Sequence, residues 1–425
     1  MQTIKNWAKN ISIQPKNYFE PKSVDELKKV IQSNGKIRAI GSGHSWSDSI
    51  VTKDTLVSLN NLREIIYINQ AQKNLTVQTG IKLFQINQEL DKIGFALSNL
   101  GSIATQSLAG AIATGTHGTG INFQCLASQV ESFKMFDADG NEHHFDKTDE
   151  KFYAILVGLG CFGLIYEMTL DVTDAFQLRD ITSGGDFDAV IENLDEYLAE
   201  NNHFKIWWLP PSKNVVLFRY NQTNKSPNDS RFRQWFKDEF VSVYTYRFLS
   251  LVGLLNRQKL IPPINRFLTK EITKPLNRIE KSYKVFNVPE PPLHRETEWA
   301  FDLKDAKYLL REYKKLLTSN GFTYNFIQEL RFSKGDDFWL SPAYKRDTMW
   351  LGMYNKDLHD WDKRLANFES FAREHNGRPH WGKEFTVDAK YLVGQYEKFD
   401  DFRNLMTKFD SHGKFRNDWI NAMFF

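Results

Sequence analysis

Four short segments of this chain hold the residue types from which a reactive site can be built. In Gly41-Ser42-Gly43-His44, two glycines around a serine make a tight turn whose amides can face a pyrophosphate, and the histidine would lie along the bound group. The stretch from Gly101 to Gly120 is the most glycine-rich and least charged of the sequence. Small side chains there let backbone amides come close to a ligand, and two such loops suggest a ligand with two anionic or ring portions. Around Glu329 and Arg331 the residues alternate as in a strand, with Phe322, Tyr324, Phe326, Leu330 and Phe332 on one face and Asn325, Glu329 and Arg331 on the other. A carboxylate and a guanidinium side by side can grip vicinal hydroxyls or a carbonyl. Lastly, Gly377-Arg378-Pro379-His380-Trp381-Gly382-Lys383 makes a rigid polar turn. Each segment also has an ordinary reading when taken singly: a turn with a structural histidine, a packed internal loop, a solvated ion pair on an open sheet, a surface loop.

The elements that must position these residues follow from periodicity and caps. Ser23 and Glu26 form a capping-box pattern ahead of Leu27, Val30 and Ile31, and Gly35 ends that helix. Lys36–Ile40 then reads as a strand running into the first glycine turn, with no dinucleotide-type helix after it. The strand Asn74–Thr79 leads to a helix with Leu83, Ile86, Leu90 and Ile93 on one side. Val130–Phe136, a helix near 148–157 and a strand around Leu164–Val172 complete a first α+β domain, residues 1–175. Beyond about 176, helical spacing over Asp186–Asn201 and Asp302–Asn320 alternates with strands at His203–Leu209, Val215–Tyr220, Phe322–Ser333 and Thr348–Tyr354. These predict a mostly antiparallel sheet covered by helices on one face, spanning 176–375 with a basic, proline-interrupted insertion at about 225–285. The tail, 376–425, carries a helix with Phe399, Phe402, Met406 and Phe409 on one side and returns to the first domain.

Composition narrows the function classes. The chain has 425 residues, 55 Lys plus Arg against 52 Asp plus Glu, and a net charge of +3, so nothing draws it electrostatically to nucleic acid. Two cysteines without a CxxC spacing give neither a disulfide framework nor a metal cluster, and a reducing cytoplasm fits them. The N-terminus lacks an apolar core of signal-peptide length, and no stretch reaches the roughly 18 apolar residues of a spanning helix. Phe248–Leu255, with Arg257 and Lys259 behind it, is suited at most to touching a membrane surface.

Together, Asn6-Trp7, the Arg38–Trp46 turn, the Ala113–Gly118 loop, Leu340–Asp347 and Arg378–Lys383 resemble the vanillyl-alcohol-oxidase superfamily of flavoproteins, in its sugar-lactone and alditol oxidase branch. The similarity spans essentially the whole chain. It implies a PCMH-type FAD-binding domain of two α/β subdomains and a cap domain of mostly antiparallel sheet flanked by helices. It also implies FAD bonded covalently through a ring nitrogen of His44. Gln106 and Ser107 stand where some relatives have a cysteine, so a single linkage is implied. Family matching places Ala39, Ile40, Gly41, Ser42, Gly43, Ser45, Ser107, Ala111, Gly115, Gly118, Thr119, Gly120, Ile165 and His380 about the cofactor. It places Ser107, Glu329, Arg331, Tyr354 and Lys383 about the substrate.

The implied reaction is hydride loss from a carbinol carbon to flavin, with oxygen or an electron carrier as the final acceptor. Arg331 stays protonated and so orients and polarises, Lys383 is the base candidate if cationic neighbours lower its pKa, and Glu329 fixes Arg331 and a substrate hydroxyl. Within the branch, Lys281–Phe286, Arg295–Glu298, the basic insertion and Tyr354 resemble the aldono-1,4-lactone oxidases, while Gly352 departs from the histidine of either group. The expected substrate is therefore an aldono-1,4-lactone of the arabinono, gulono or galactono type. An alditol such as xylitol or sorbitol is the alternative, and a flavin-free sugar-binding relative the remote one.

Overall fold

The computed structural model describes residues 2–228, 258–356 and 359–425. Its first half is built mainly on two sheets. Asn17–Phe19, Thr55–Ser58 and Ile37–Ile40 form a parallel three-stranded sheet. Against it packs the Val24–Ser33 helix, whose first turn is capped where the Ser23 hydroxyl accepts the Glu26 amide and Glu26 accepts the Lys22 amide. Leu27 and Ile31, one turn apart, are fully buried beneath it. The second sheet is five-stranded and antiparallel, in the order Glu142–Asp146, Val130–Phe136, Leu164–Asp171, Asn74–Gln78, Ile65–Asn69. Along Leu164–Asp171 every second residue is buried, the signature of a strand with one face on the core.

The cap is one eight-stranded sheet. Its order is Leu276–Lys281, Gln177–Asp186, Asn214–Thr223, His203–Trp208, Gln328–Ser333, Thr348–Asn355, Arg295–Asp302 and Arg378–Pro379, with every neighbour antiparallel. One face is apolar and covered by helices: Leu330, Phe332, Leu351 and Met353 meet Tyr313 and Leu309 of Ala306–Ser319 and Phe368 of Trp361–Glu374 in one core cluster. The opposite face is polar. Cross-strand pairs Lys205 with Arg331 and Trp207 with Glu329 put four functional side chains there together.

Several sequence expectations change. The helix expected over Asp186–Asn201 is two, Phe187–Glu192 and Leu194–Glu200, because the chain turns at Asn193. The strand expected from Phe322 begins at Gln328. Before it, the Asn325 amide donates to Asn355 Oδ1 and the Lys356 amide to Asn325 Oδ1, so Asn325 is buried at the sheet's end, away from Glu329. Phe326, expected on the core face, lines the same cavity as Glu329. The end of the 225–285 segment is no insertion, since Leu276–Lys281 supplies the sheet's edge strand. Phe248–Leu255, the candidate membrane contact, lies outside the described residues; among those described, no helix is long and apolar enough to cross a membrane.

The tail folds back on the first half. Phe162 packs edge-on against Phe402 and Phe409, and the Arg38 guanidinium donates to the carbonyls of Ser49, Leu159 and Phe415.

Candidate functional site

Two cavities meet at one histidine. The smaller, about 130 Å³, is walled by the 38–45 turn, by residues 106–114 and by residues 155–165. The larger, about 480 Å³, runs under the polar face of the cap sheet. His44, Ser45, Gln106 and Thr114 line both.

Local sequence explains the smaller cavity. Gly43 has φ +70, and a Cβ on Gly41 would collide with Ser107 Oγ, so the turn needs both glycines. The Gly43 carbonyl accepts the Trp7 amide and the Ser45 carbonyl the Asn6 side chain. Ser42 Oγ donates to the Thr105 carbonyl and accepts from Lys82 Nζ at 2.9 Å. Ala39, Ile40, Gly41, Ser42, Gly43, Ser107, Ala111 and Ile165 all lie on this wall. Two of its polar atoms, His44 Nδ1 and Ser107 Oγ, are buried with no hydrogen-bond partner. A buried polar atom without a partner costs free energy unless a ligand satisfies it, so the wall fits a polar, close-approaching cofactor.

Four residues expected at the cofactor line neither cavity. Gly115 backs onto Val157 and Pro342, and Gly118 has no room for a Cβ beside Asn99 and Leu100. Thr119 donates to the Phe204 carbonyl, and the Gly120 amide to the Phe332 carbonyl, so this loop ties the first half to the cap sheet. Ser107, expected also at the substrate, lies in the smaller cavity alone, whereas His380, expected at the cofactor, lines the larger.

The larger cavity gathers Glu329, Arg331, Tyr354, His380 and Lys383 opposite His44. Glu329 accepts from Lys205 Nζ at 3.0 Å, Trp207 Nε1 at 2.8 Å and Arg331 Nη2 at 2.5 Å. Burial would raise its carboxyl pKa, but Arg331 and then Lys205 outweigh burial and hold it well below the usual carboxylate range. Arg331 also donates to Ser102 Oγ and the His117 carbonyl, while its buried Nε has no partner and is a donor available to a substrate oxygen.

Among the described residues, Lys383 is paired with a carboxylate rather than set among the cationic neighbours expected of a free base. Its Nζ pairs with Glu296 at 2.6 Å and lies 4.5 Å from the centre of the Trp46 ring. Beyond Glu296 stands Glu298, 3.5 Å from His117 Nε2. His117 donates from Nδ1 to the Gly118 carbonyl and stacks on Trp350 at 3.6 Å. His380 Nδ1 accepts the Gly382 amide, so its proton sits on Nε2, and burial pushes the ring down to about 3. His117, Glu298 and His380 bring ligand-capable atoms within 4.8 Å of one another, while the Nδ1 atoms of His117 and His380 are engaged by the Gly118 carbonyl and the Gly382 amide.

Gly352 is explained by its neighbour: a Cβ there would strike the Tyr354 ring, which folds back over it. Glu290, Glu296, Glu298, His117 and Lys205 are residues that sequence reasoning missed. Glu290 pairs with His44 Nε2 at 3.0 Å across 246 positions, a separation no spacing rule reaches. The proline-rich run Pro289-Glu290-Pro291-Pro292 was the only local signal.

Known proteins supply independent findings. The D-arabinono-1,4-lactone oxidase family matches residues 168–423, and an FAD-binding domain family matches residues 15–146. The chain is 32% identical to L-gulonolactone oxidase of Mus musculus over 99% of this chain and 98% of that one. It is 28% identical to L-gulono-1,4-lactone dehydrogenase of Mycobacterium tuberculosis, with 98% of each covered. Its fold matches cholesterol oxidase from Brevibacterium sterolicum with a TM-score of 0.83 at 16% identity, covering 100% of this chain and 96% of that one.

Proposed function

The chain belongs to the D-arabinono-1,4-lactone oxidase family, and from that premise we propose that it oxidises an aldono-1,4-lactone of the arabinono or gulono type with FAD bonded to His44. The observation that carries this reading is the single cavity in which Glu329 and Arg331, from the cap sheet, and Lys383, from the returning tail, face the histidine at the mouth of the smaller cavity. His44 lines both cavities, and its Nδ1 is buried without a hydrogen-bond partner, which leaves that nitrogen for attachment.

When bound, the flavin supplies a two-electron acceptor for the carbinol hydride. The chain supplies the rest. Arg331 Nε is the free donor for the carbinol oxygen, and the guanidinium stabilises negative charge developing there. Glu329 locks Arg331 in place and offers its carboxylate oxygens to a neighbouring hydroxyl. The hydroxyl proton goes to Lys383, which becomes a neutral amine by passing its own proton to Glu296. Trp207, Phe326 and Tyr354 keep bulk water from this arrangement. Dioxygen is the acceptor we favour, giving hydrogen peroxide, and the two buried, unpaired cysteines support a cytoplasmic location that cell fractionation would check.

Anaerobic bleaching of the purified flavoprotein with a panel of aldonolactones and alditols is the test. Bleaching by L-gulono- or D-arabinono-1,4-lactone is expected; bleaching by xylitol or sorbitol alone would overturn the substrate class. Yellow colour that stays with acid-precipitated protein is expected for the histidyl linkage.

A further inference from the structure

His44 is held by one carboxylate whose own surroundings are unusually complete. Glu290 Oε1 accepts from His44 Nε2 at 3.0 Å and from Thr105 Oγ1 at 2.5 Å, and Oε2 accepts from Trp7 Nε1 at 3.2 Å. The Trp7 ring stacks on the imidazole at 5.8 Å and 23°. Pro289, Pro291 and Pro292 fix the backbone about the carboxylate, which restricts the conformations it must lose to hold this geometry. An exposed ion pair contributes little, and the Glu290 side chain is 40% exposed, but three donors converge on its carboxylate and the imidazole is only 13% exposed.

A carboxylate can only accept, so Nε2 must carry the proton and Nδ1 is left with its lone pair. That Nδ1 is buried without a partner, on a residue that lines both cavities. We propose that Glu290 readies His44 for covalent attachment, by fixing the Nε2–H tautomer, aiming the Nδ1 lone pair at the flavin, and balancing the positive charge that bond formation creates on the ring. The proposal rests on the histidyl-linked reading above and adds a second residue to it. Burial pulls the His44 pKa below its ordinary value, against the pull of Glu290, which agrees with a neutral nucleophile. The Glu290 carboxyl lies below its ordinary range because the bonds from Thr105, His44 and Trp7 outweigh its burial, so it is ionised when the charge appears.

Attachment forms one bond, from Nδ1 to the carbon of the flavin 8-methyl group, and breaks one C–H bond of that methyl. The methyl hydrogen leaves as a proton and its electron pair stays on the flavin, which is two electrons richer once Nδ1 has supplied the pair of the new bond. The imidazole then gives up its Nε2 proton by way of Glu290, and once this proton and the one from the methyl group are taken up by the flavin ring, two protons and two electrons have passed to the flavin in all. Dioxygen removes them as hydrogen peroxide and restores the oxidised cofactor. Glu290 is thus a positioning residue that acts through His44.

Glu290→Ala and Glu290→Gln are compared with wild type and His44→Ala as full-length flavoproteins. Attachment after FAD is added to flavin-depleted protein is followed by flavin fluorescence on denaturing gels and by the intact-mass increase of one FAD. Glu290→Ala should attach FAD at least tenfold more slowly than wild type while still binding it non-covalently. Added formate, a small carboxylate, should restore part of the rate, a rescue that a purely structural defect would not show. Glu290→Gln keeps the side-chain volume and an acceptor for Nε2–H, and should fall between the two. Attachment at the wild-type rate in both variants overturns the role of Glu290. Loss of FAD binding in Glu290→Ala together with wild-type attachment in Glu290→Gln also overturns it. If wild type itself shows no mass increase, it is the histidyl linkage that fails instead.

Discussion

Lys383 shows how a residue's neighbours decide its chemistry. An amine can take a proton only when neutral, and the arrangement that would favour neutrality, a cluster of cations, is not what surrounds it. Instead Nζ rests on Glu296, whose own carboxyl is kept ionised because Lys383, and after it His294, outweigh its burial. Base strength must then come from transfer within the pair, so both members matter to the rate. Lys383→Met should slow anaerobic flavin reduction by a lactone by about 10²-fold or more, and Glu296→Gln by about tenfold, read by stopped-flow absorbance. Wild-type reduction in Lys383→Met would end the proton path through this pair. The alternation that put Glu329 beside Arg331 was legible because a strand repeats every two residues. Lys205, His117 and Glu296 were not: antiparallel register and loop packing join Lys205 to Glu329 across 124 positions and His117 to Arg331 across 214, Glu296 meets Lys383 from another strand, and no local pattern encodes such pairings.

At the scale of elements, the glycine turn and the loop after Gln106 behave as one interlocking surface. Gly41 has no side chain because Ser107 Oγ occupies that space, and Gly110 stands against the same hydroxyl from the other side. Gly41→Ala should therefore push the two loops apart and weaken FAD binding by tenfold or more, measured by titrating flavin-depleted protein. Ser107→Ala removes the colliding oxygen, so the double variant should recover most of that loss; non-recovery would show that the turn's amides, rather than the collision, set the affinity. The strands, the caps and the existence of both loops could be read from sequence, since they depend on local spacing. What could not be read was where elements stop. Asn193 breaks an apolar helical pattern that continues through it, and Asn325 diverts the chain by bonding to Asn355 and the Lys356 amide just where aromatic alternation suggested strand. Neither the eight-strand order nor the edge strand Leu276–Lys281 leaves a signature in a single sequence, because sheet order is decided by non-local pairing.

The whole molecule works only if its halves stay in register, since the cofactor wall comes from one and Glu329 and Arg331 from the other. Arg38 ties three distant backbone carbonyls within the first half and the tail. Across the junction itself, the His203 ring of the cap donates Nδ1–H to the Thr119 carbonyl at 2.7 Å and stacks on Phe123 at 4.4 Å. Burial lowers the His203 pKa to about 4 from an ordinary 6.5. The folded state therefore binds fewer protons than the unfolded chain between those values, and stability is lost as pH falls from about 6.5 toward 4. At pH 5 the loss from this one ring is about 2 kcal/mol. His203→Gln keeps a donor for Thr119 without a titrating ring. It should be less stable than wild type at pH 7 through lost aromatic packing, yet close that gap by about 2 kcal/mol on going to pH 5, because the other buried titrating groups, His380 among them, act equally in both proteins. Urea midpoints of the two proteins at pH 7 and pH 5 decide it. If the gap is the same at both, the histidine at the junction does not titrate on unfolding, and any loss of stability in acid belongs to another group.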